Sequence, residues 1–364
     1  MMETAGVTTL EPGPRSDTRA ASPPLLSVWG LTRHFGGRRS FLGGALRGAV
    51  HAVDDVSFEV AAGETLGVVG ESGCGKSTLA RLIMQMVTPD AGEIRFDGRI
   101  VGTKTTGRST TASAALDADS FRRSVQMVFQ DSYASLNPRL TVEETVAFGP
   151  RGRGLSSRAA IARAHDLIAR VGLEPSRFAA SYPHQLSGGQ RQRVNIARAL
   201  ALQPRLLILD EAVSALDKSI EAQVLNLLLD LKSEFGLTYL FISHDLNVVR
   251  FVSDRVLVMY LGRVVETGPS GALLTAPRHP YTAALLASMP SMDPERRITE
   301  APLSGDPPSA IDPPPGCRFH TRCRFAAPLC GRTEPALTQV AASHRVACLM
   351  AVPGSGHPAA GTVP

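Results

Sequence analysis

The run Gly70-Glu71-Ser72-Gly73-Cys74-Gly75-Lys76-Ser77 fits GxxxxGK[ST] in full, the pattern of a P-loop that cradles phosphates. Glycines let the backbone curl so that successive N–H groups face a triphosphate, and the helix that follows turns its positive end to the same point. Lys76 is expected to reach the β- and γ-phosphates, and the Ser77 hydroxyl to coordinate the Mg²⁺ that bridges them, with Thr78 opening the helix. Cys74 reads as a small filler whose backbone, rather than its sulfur, faces phosphate. Two further stretches carry compatible chemistry. Leu206-Leu207-Ile208-Leu209-Asp210-Glu211 is an apolar strand ending in two carboxylates, which alternation along a strand sends different ways. Asp210 suits the Mg²⁺ shell, and Glu211 suits a general base that polarises an attacking water. Leu186-Ser187-Gly188-Gly189-Gln190 opens a helix-like run through Leu202, a second anion site at a helix N-terminus. Arg191 and Arg193 sit where the helix dipole disfavours cations, so they are expected either to answer a nearby negative charge or to point into solvent.

These residues need a scaffold, and the sequence supplies one. Thr65–Val69 is short, apolar and strand-like, while Thr78–Met86 lacks Gly and Pro and reads as a helix. From Leu26 to about Thr275 apolar strands alternate with amphipathic helices, which predicts an α/β domain with a largely parallel sheet behind the phosphate site. Residues 1–25, rich in Ala, Pro, Ser and Thr, are expected to be disordered. Gly36–Val50 and Thr103–Asp119 read as surface loops. Ser156–Val171 reads as a helix with Ala160, Ile161, Ala164, Leu167, Ile168 and Val171 on one face and Gly172 past its end. After His279-Pro280-Tyr281 and a short helix, a Pro-rich linker leads to a small cysteine-containing tail. The expected organisation is therefore a cassette over 26–275, an extension over 276–350 and a flexible tail over 351–364. No internal repeat is visible.

With 364 residues and 43% apolar composition the chain can bury a large core. Its longest apolar stretches, 194–208 and 237–260, contain polar residues and fall short of the roughly 18 consecutive apolar residues of a membrane span. The N-terminus shows no apolar core with a cleavage site, so a chain soluble by itself that stays in the cytoplasm is expected. A net charge of +5 without a tight Lys/Arg block argues against nucleic acid as a partner.

The order of these motifs resembles the nucleotide-binding subunit of ATP-binding cassette (ABC) transporters over about Leu26–Gly268. The resemblance implies a P-loop NTPase cassette: a RecA-like core, a helical subdomain and an antiparallel β subdomain. It assigns Gln130 to the Q-loop, which touches the metal or water and contacts the membrane partner, Ser214-Ala215-Leu216-Asp217 to the D-loop, His244 to the switch that contacts the γ-phosphate, and Phe35 to the aromatic that stacks on adenine. It also implies that two cassettes, copies or paralogues, pair head to tail, with each ATP held between the P-loop of one (Gly70 to Thr78) and Ser187, Gly188, Gly189, Gln190 and Asp217 of the other. Two transmembrane permease subunits and an extracytoplasmic substrate-binding protein complete the implied assembly, with this chain peripheral on the cytoplasmic face of the membrane. Ala212 departs from the family, which commonly has Pro after the catalytic Glu; a small effect on the turn is expected.

Three stretches narrow the resemblance to oligopeptide and dipeptide importer ATPases: Phe129–Arg139 after the Q-loop, with Ser132 where Pro is usual; His279-Pro280-Tyr281-Thr282; and Gly316-Cys317-Arg318-Phe319-His320-Thr321-Arg322-Cys323. Nickel importers share much of this pattern and are the alternative, with a soluble non-transport ABC ATPase as a second. The latter predicts two cassettes, a long coiled-coil insertion or a strongly basic linker, none of which is present. A P-loop protein without hydrolysis predicts loss of Glu211 or His244, and both are there.

Four of the five cysteines, Cys317, Cys323, Cys330 and Cys348, cluster in the tail as Cx5Cx6Cx17C. A cytoplasmic protein has little use for disulfides, so the cluster points to metal or reduced thiols. Members resembling this group can carry a [4Fe–4S] cluster on such a quartet. Zinc and bare thiols are the alternatives, with His320 and His344 as alternative ligands.

Overall fold

The structure, a computed structural model, describes residues 23–38, 47–101, 116–289, 303, 305–362 and 364. A long antiparallel pair opens it, β1 (Pro24–Arg38) and β2 (Arg47–Ala61), followed by β3 (Thr65–Val69), α1 (Lys76–Ile83), β4 (Ala91–Phe96) and β5 (Arg99–Val101). Next come α2 (Ala118–Ser124), β6 (Val125–Val128), and the helices α3 (Val142–Gly152), α4 (Ser157–Arg170), α5 (Pro175–Phe178) and α6 (Gly188–Leu200). The core resumes with β7 (Leu206–Asp210), α7 (Lys218–Phe235), β8 (Thr238–Ile242), α8 (Leu246–Val252), β9 (Arg255–Tyr260) and β10 (Arg263–Pro269). Helices α9 (Ser270–Thr275) and α10 (Pro280–Ala287) precede the final hairpin, β11 (Thr338–Ala341) and β12 (His344–Val346).

Two sheets result. One is antiparallel, in the order β2-β1-β4-β5; the other has eight strands, β11-β12-β10-β9-β3-β8-β7-β6. Within the second, β6, β7, β8, β3 and β9 run parallel. Every residue of β3, β7 and β8 is buried, as expected for parallel strands covered on both faces. Alternation sorts β7 between two cores: Leu207 and Leu209 pack with the helices α3, α4 and α6, whereas Leu206 and Ile208 pack with α1 and the antiparallel sheet. Asp210 keeps the parity of Leu206 and Ile208, so it is presented toward α1.

Helix termini follow their side chains. Thr141 and Glu144 form a capping box on α3, and Ser156 caps α4. Gly172 past the end of α4 has φ 75°, and Ala160, Ala164, Leu167 and Ile168 are buried, as the periodicity predicts. The ends of the stretch read as a loop over Gly36–Val50 are instead strand: Phe35 pairs with Val50, Gly36 with Ala49 and Arg38 with Arg47. Backbone pairing extends the hairpin although Gly and Arg carry little strand preference. The middle of that stretch, most of Thr103–Asp119, residues 1–22 and part of the Pro-rich linker lie outside the described residues.

The tail shares the sheet of the core. Strand β12 pairs antiparallel with β10, Glu266 opposite Val346 and Thr267 opposite Arg345. Past residue 350 the chain turns back, with the Gly361 N–H bonded to the Met350 carbonyl at 2.8 Å and His357 buried. No helix among the described residues is long and apolar enough to cross a membrane.

Candidate functional site

Strand β3 delivers the chain to Gly70, and three glycines bend it into α1. Gly70 has φ 151° and Gly75 φ 107°, and a Cβ at these positions would lie 2.2 Å from the Met259 carbonyl and 2.0 Å from the Ala52 carbonyl. Only glycine fits either place. No side chain caps α1, so its first-turn N–H groups and its dipole face the loop unopposed. Lys76 Nζ donates to the Gly70 and Glu71 carbonyls at 2.7 and 2.9 Å. Cys74 is buried beneath the loop, 3.7 Å from Lys76 Nζ; burial pushes its thiol pKa up, against the pull of Lys76. Ser72, Gly73, Ser77 and Thr78 are at least partly accessible.

The two acids separate as alternation requires. Ser77 Oγ donates to Asp210 Oδ1 at 2.9 Å. Burial raises the Asp210 pKa and the neighbouring Glu211 adds to it, opposed by the Ser77 hydrogen bond; a bound cation would favour the carboxylate. Glu211 turns the other way. Its backbone takes φ 47°, a left-handed conformation that non-glycine residues seldom adopt. The Glu211 N–H is bonded to the Ile242 carbonyl at 2.9 Å, and the Ser214 N–H to the Glu211 carbonyl at 3.2 Å. The turn therefore closes with Ala212, buried, in the place of Pro. Gln130 Nε2 donates to Glu211 Oε2 at 3.0 Å, and His244 Nδ1 lies 3.4 Å from the same oxygen. A carboxylate held between an amide and an imidazole at the ends of three parallel strands can orient and activate a water beside a phosphate.

The segment after Gln130 is pinned by α6: Asn195 donates to the Ser132 carbonyl at 3.1 Å, and Arg198 to the Ser135 carbonyl. The first bond uses only the carbonyl and is equally open to Pro. Ser187 and Gln190 form a capping box at the start of α6. A Cβ on Gly189 would lie 2.5 Å from Ile220 Cγ2, so this glycine permits close packing on α7. Arg191 donates to the Leu186 carbonyl and lies over Tyr133; Arg193 donates to the Val171 carbonyl and Gln223. Both arginines thus satisfy polar groups of their own chain, neither an anion nor solvent alone. Asp217 starts α7 with its side chain exposed and making no capping bond. No hydrogen bond among the described residues joins Ser187–Gln190 to Gly70–Ser77. Phe35 lies in β1, half-buried, with the Arg33 guanidinium 4.8 Å from its ring centre.

In the tail, Cys317, Cys323, Cys330 and Cys348 line one small cavity together with His279, His320 and His357. All five cysteines of the chain are free thiols. Burial pushes Cys317 up to about 12 and Cys323 up to about 11, the neighbouring thiols adding to it. Among the described residues no three of these sulfurs lie within 4.8 Å of one another. Four thiols converging on one cavity are a donor set that suits either zinc or an iron–sulfur cluster. His344 is turned away from this role, its Nε2 2.8 Å from Glu266 Oε1. His320 keeps its place on the cavity, with Nδ1 2.7 Å from the Cys317 carbonyl. His34, His51 and Asp54 do bring ligand atoms within 4.8 Å, but Arg263 and Arg318 already pair with Asp54.

Three residues without an assigned role in the sequence prove central. Glu266, fully buried, accepts from the Arg278 and His279 N–H groups and pairs with His344. Tyr281 and Arg322 both reach the P-loop at Glu71. The motif letters around Tyr281 and Arg322 were visible; their partners, more than 200 residues away, were not.

The sequence pattern of the ABC transporter family matches residues 53–214, and that of the oligopeptide/dipeptide transporter C-terminal region matches residues 265–330. The chain is 49% identical over 308 residues to the oligopeptide transport ATP-binding protein AppF of Bacillus subtilis, covering 83% of this chain and 90% of that one. Among solved structures, it is similar to cbiO1 of Clostridium perfringens, part of an ABC transporter complex, with TM-score 0.57, 28% identity and coverage of 69% and 91%. It is also similar to a dimeric post-hydrolysis ATP-binding cassette holding ADP and Pi, with TM-score 0.55, 28% identity and coverage of 67% and 98%.

Proposed function

The chain belongs to the ATP-binding subunits of ABC transporters, and from that premise we propose that it hydrolyses ATP to drive import of di- and oligopeptides. The observation that carries the chemistry is Glu211 held between Gln130 and His244 beside a complete P-loop. The C-terminal region over 265–330 supports peptides as the cargo.

In this reading Lys76 exchanges its carbonyl partners for phosphate oxygens, the N–H groups at the start of α1 face the same phosphates, and Phe35 stacks on adenine. Ser77, Asp210 and Gln130 would hold Mg²⁺, which would neutralise charge on the transferring phosphoryl group. Glu211 takes the proton of the attacking water, and His244 contacts the γ-phosphate. Ser187, Gly188, Gly189, Gln190 and Asp217 serve the ATP of a second cassette, so nucleotide closes the pair and its loss reopens it. Gln130 and the helices α3 to α6 pass this motion to two permease subunits; Tyr133 and Phe148, exposed there, offer apolar contact. The subunit then sits on the cytoplasmic face of the membrane, and an extracytoplasmic binding protein delivers the peptide. Cys317, Cys323, Cys330 and Cys348 would hold a [4Fe–4S] cluster that ties the tail together.

Uptake of labelled di- and oligopeptides by cells lacking this chain tests the cargo, with nickel uptake measured alongside. Loss of peptide uptake, restored by the wild-type chain, is expected; intact peptide uptake with reduced nickel uptake would move the cargo to metal.

A further inference from the structure

The turn Cys317-Arg318-Phe319-His320-Thr321-Arg322-Cys323 carries two of the four clustered cysteines and also reaches the phosphate-binding loop. Arg322 forms a two-pronged pair with Glu71, Nη1 to Oε2 at 2.7 Å and Nη2 to Oε1 at 3.0 Å, with its side chain only 6% exposed. The Tyr281 hydroxyl accepts the Glu71 N–H at 2.8 Å. Tyr281 is itself fixed between Tyr260 and Phe319, ring centres 4.6 and 5.3 Å away. Arg318 anchors the same turn on the Leu261 carbonyl and the Asp54 carboxylate.

Glu71 stands at the second position of the loop, and its carbonyl is one of the two that hold Lys76. A free carboxylate there would repel the negative charge of a triphosphate bound at the same loop, screened only in part because the Glu71 side chain is 21% exposed. The Arg322 fork neutralises that charge, and a bidentate pair also fixes orientation. With Tyr281 holding its N–H, Glu71 is gripped at backbone and side chain from one region of the chain.

We infer that Arg322 is a positioning residue for nucleotide binding: the C-terminal extension completes the P-loop by neutralising and orienting Glu71. The inference rests on ATP binding at the P-loop, and the two are separable by experiment. Full-length protein is titrated with ATP under non-hydrolysing conditions, alongside kcat and KM for ATP and iron per chain. Arg322→Gln raises Kd and KM about tenfold, the order expected for one partly screened charge, and leaves kcat at saturating ATP within about twofold. Arg322→Lys recovers part of the loss. The diagnostic variant is Glu71→Gln with Arg322→Gln, which returns Kd to within about threefold of wild type because the repelling charge is gone. A general loss of structure would not be repaired by a second substitution. Wild-type Kd in Arg322→Gln, or a double variant no better than the single one, overturns the inference. Lys76→Ala, which removes the phosphate ligand, abolishes tight binding; normal binding by it would overturn the P-loop reading and this inference with it.

Discussion

Gln130 donates its side-chain amide to the Glu211 carboxylate across 3.0 Å, joining the segment after β6 to the turn after β7. The bond links the residue proposed to sense the membrane partner with the residue proposed to activate water. A shift of the Gln130 segment, itself laced to α6 through Asn195 and Arg198, would therefore be felt at the Glu211 carboxylate. Such a bond is a physical route by which transport and hydrolysis can be coupled.

The glycines of the loop differ in what they permit. A Cβ on Gly75 would collide with the Ala52 carbonyl at 2.0 Å, whereas one on Gly73 meets nothing within 4 Å. Both have positive φ, so Gly73→Ala is expected to cost about 1 kcal/mol in backbone strain alone, and Gly75→Ala at least about 2 kcal/mol. Urea midpoints of the two variants check the order, and equal midpoints would contradict it.

Burial pushes the His279 imidazole down to about 4. Its Nδ1 accepts the Tyr281 N–H at 3.0 Å, a bond that requires the neutral ring. The buried groups around it are Glu266, which accepts the His279 N–H, with His344 beyond, and Phe319 and Tyr281 against its ring. The unfolded chain binds a proton near pH 6.5 and the folded chain only near 4, so stability falls as pH drops through that window, by at most ~3 kcal/mol. His279→Asn, which keeps a capping acceptor, should flatten the slope of unfolding free energy between pH 6.5 and 4. An unchanged slope would remove His279 as its source.

The cysteine cavity makes a chemical prediction. Protein purified without oxygen should carry iron and visible absorbance, and Cys317→Ser should lose both. Because Cys317 and Cys323 bracket Arg318 and Arg322, the same variant should bind ATP more weakly. Full iron in Cys317→Ser would remove that cysteine from the ligand set.

What the sequence discloses here depends on range. The P-loop, the apolar run of β7 with its divergent acids and the α4 face all rest on residues within a few turns of one another, where periods of 2 and 3.6 are decisive. The hairpin ends at Gly36 and Ala49 are hidden because register with a partner strand outweighs their own preference. The pairing of Glu266 with His344, 78 residues apart, and of Glu71 with Arg322, 251 apart, depends on how the tail docks on β10. No local pattern encodes that. Arg191 and Arg193 mislead for a related reason: their carbonyl partners belong to the fold, with no charge to advertise them.

The central claim, that Glu211 activates water for ATP hydrolysis in a subunit that binds nucleotide through its P-loop, is tested most directly by steady-state hydrolysis of Mg-ATP. Wild-type chain and Glu211→Gln are compared in the same preparation, with nucleotide affinity measured for each. Glu211→Gln should keep wild-type affinity while turnover falls roughly 10²- to 10⁴-fold. Turnover by Glu211→Gln close to that of the wild type would contradict the account.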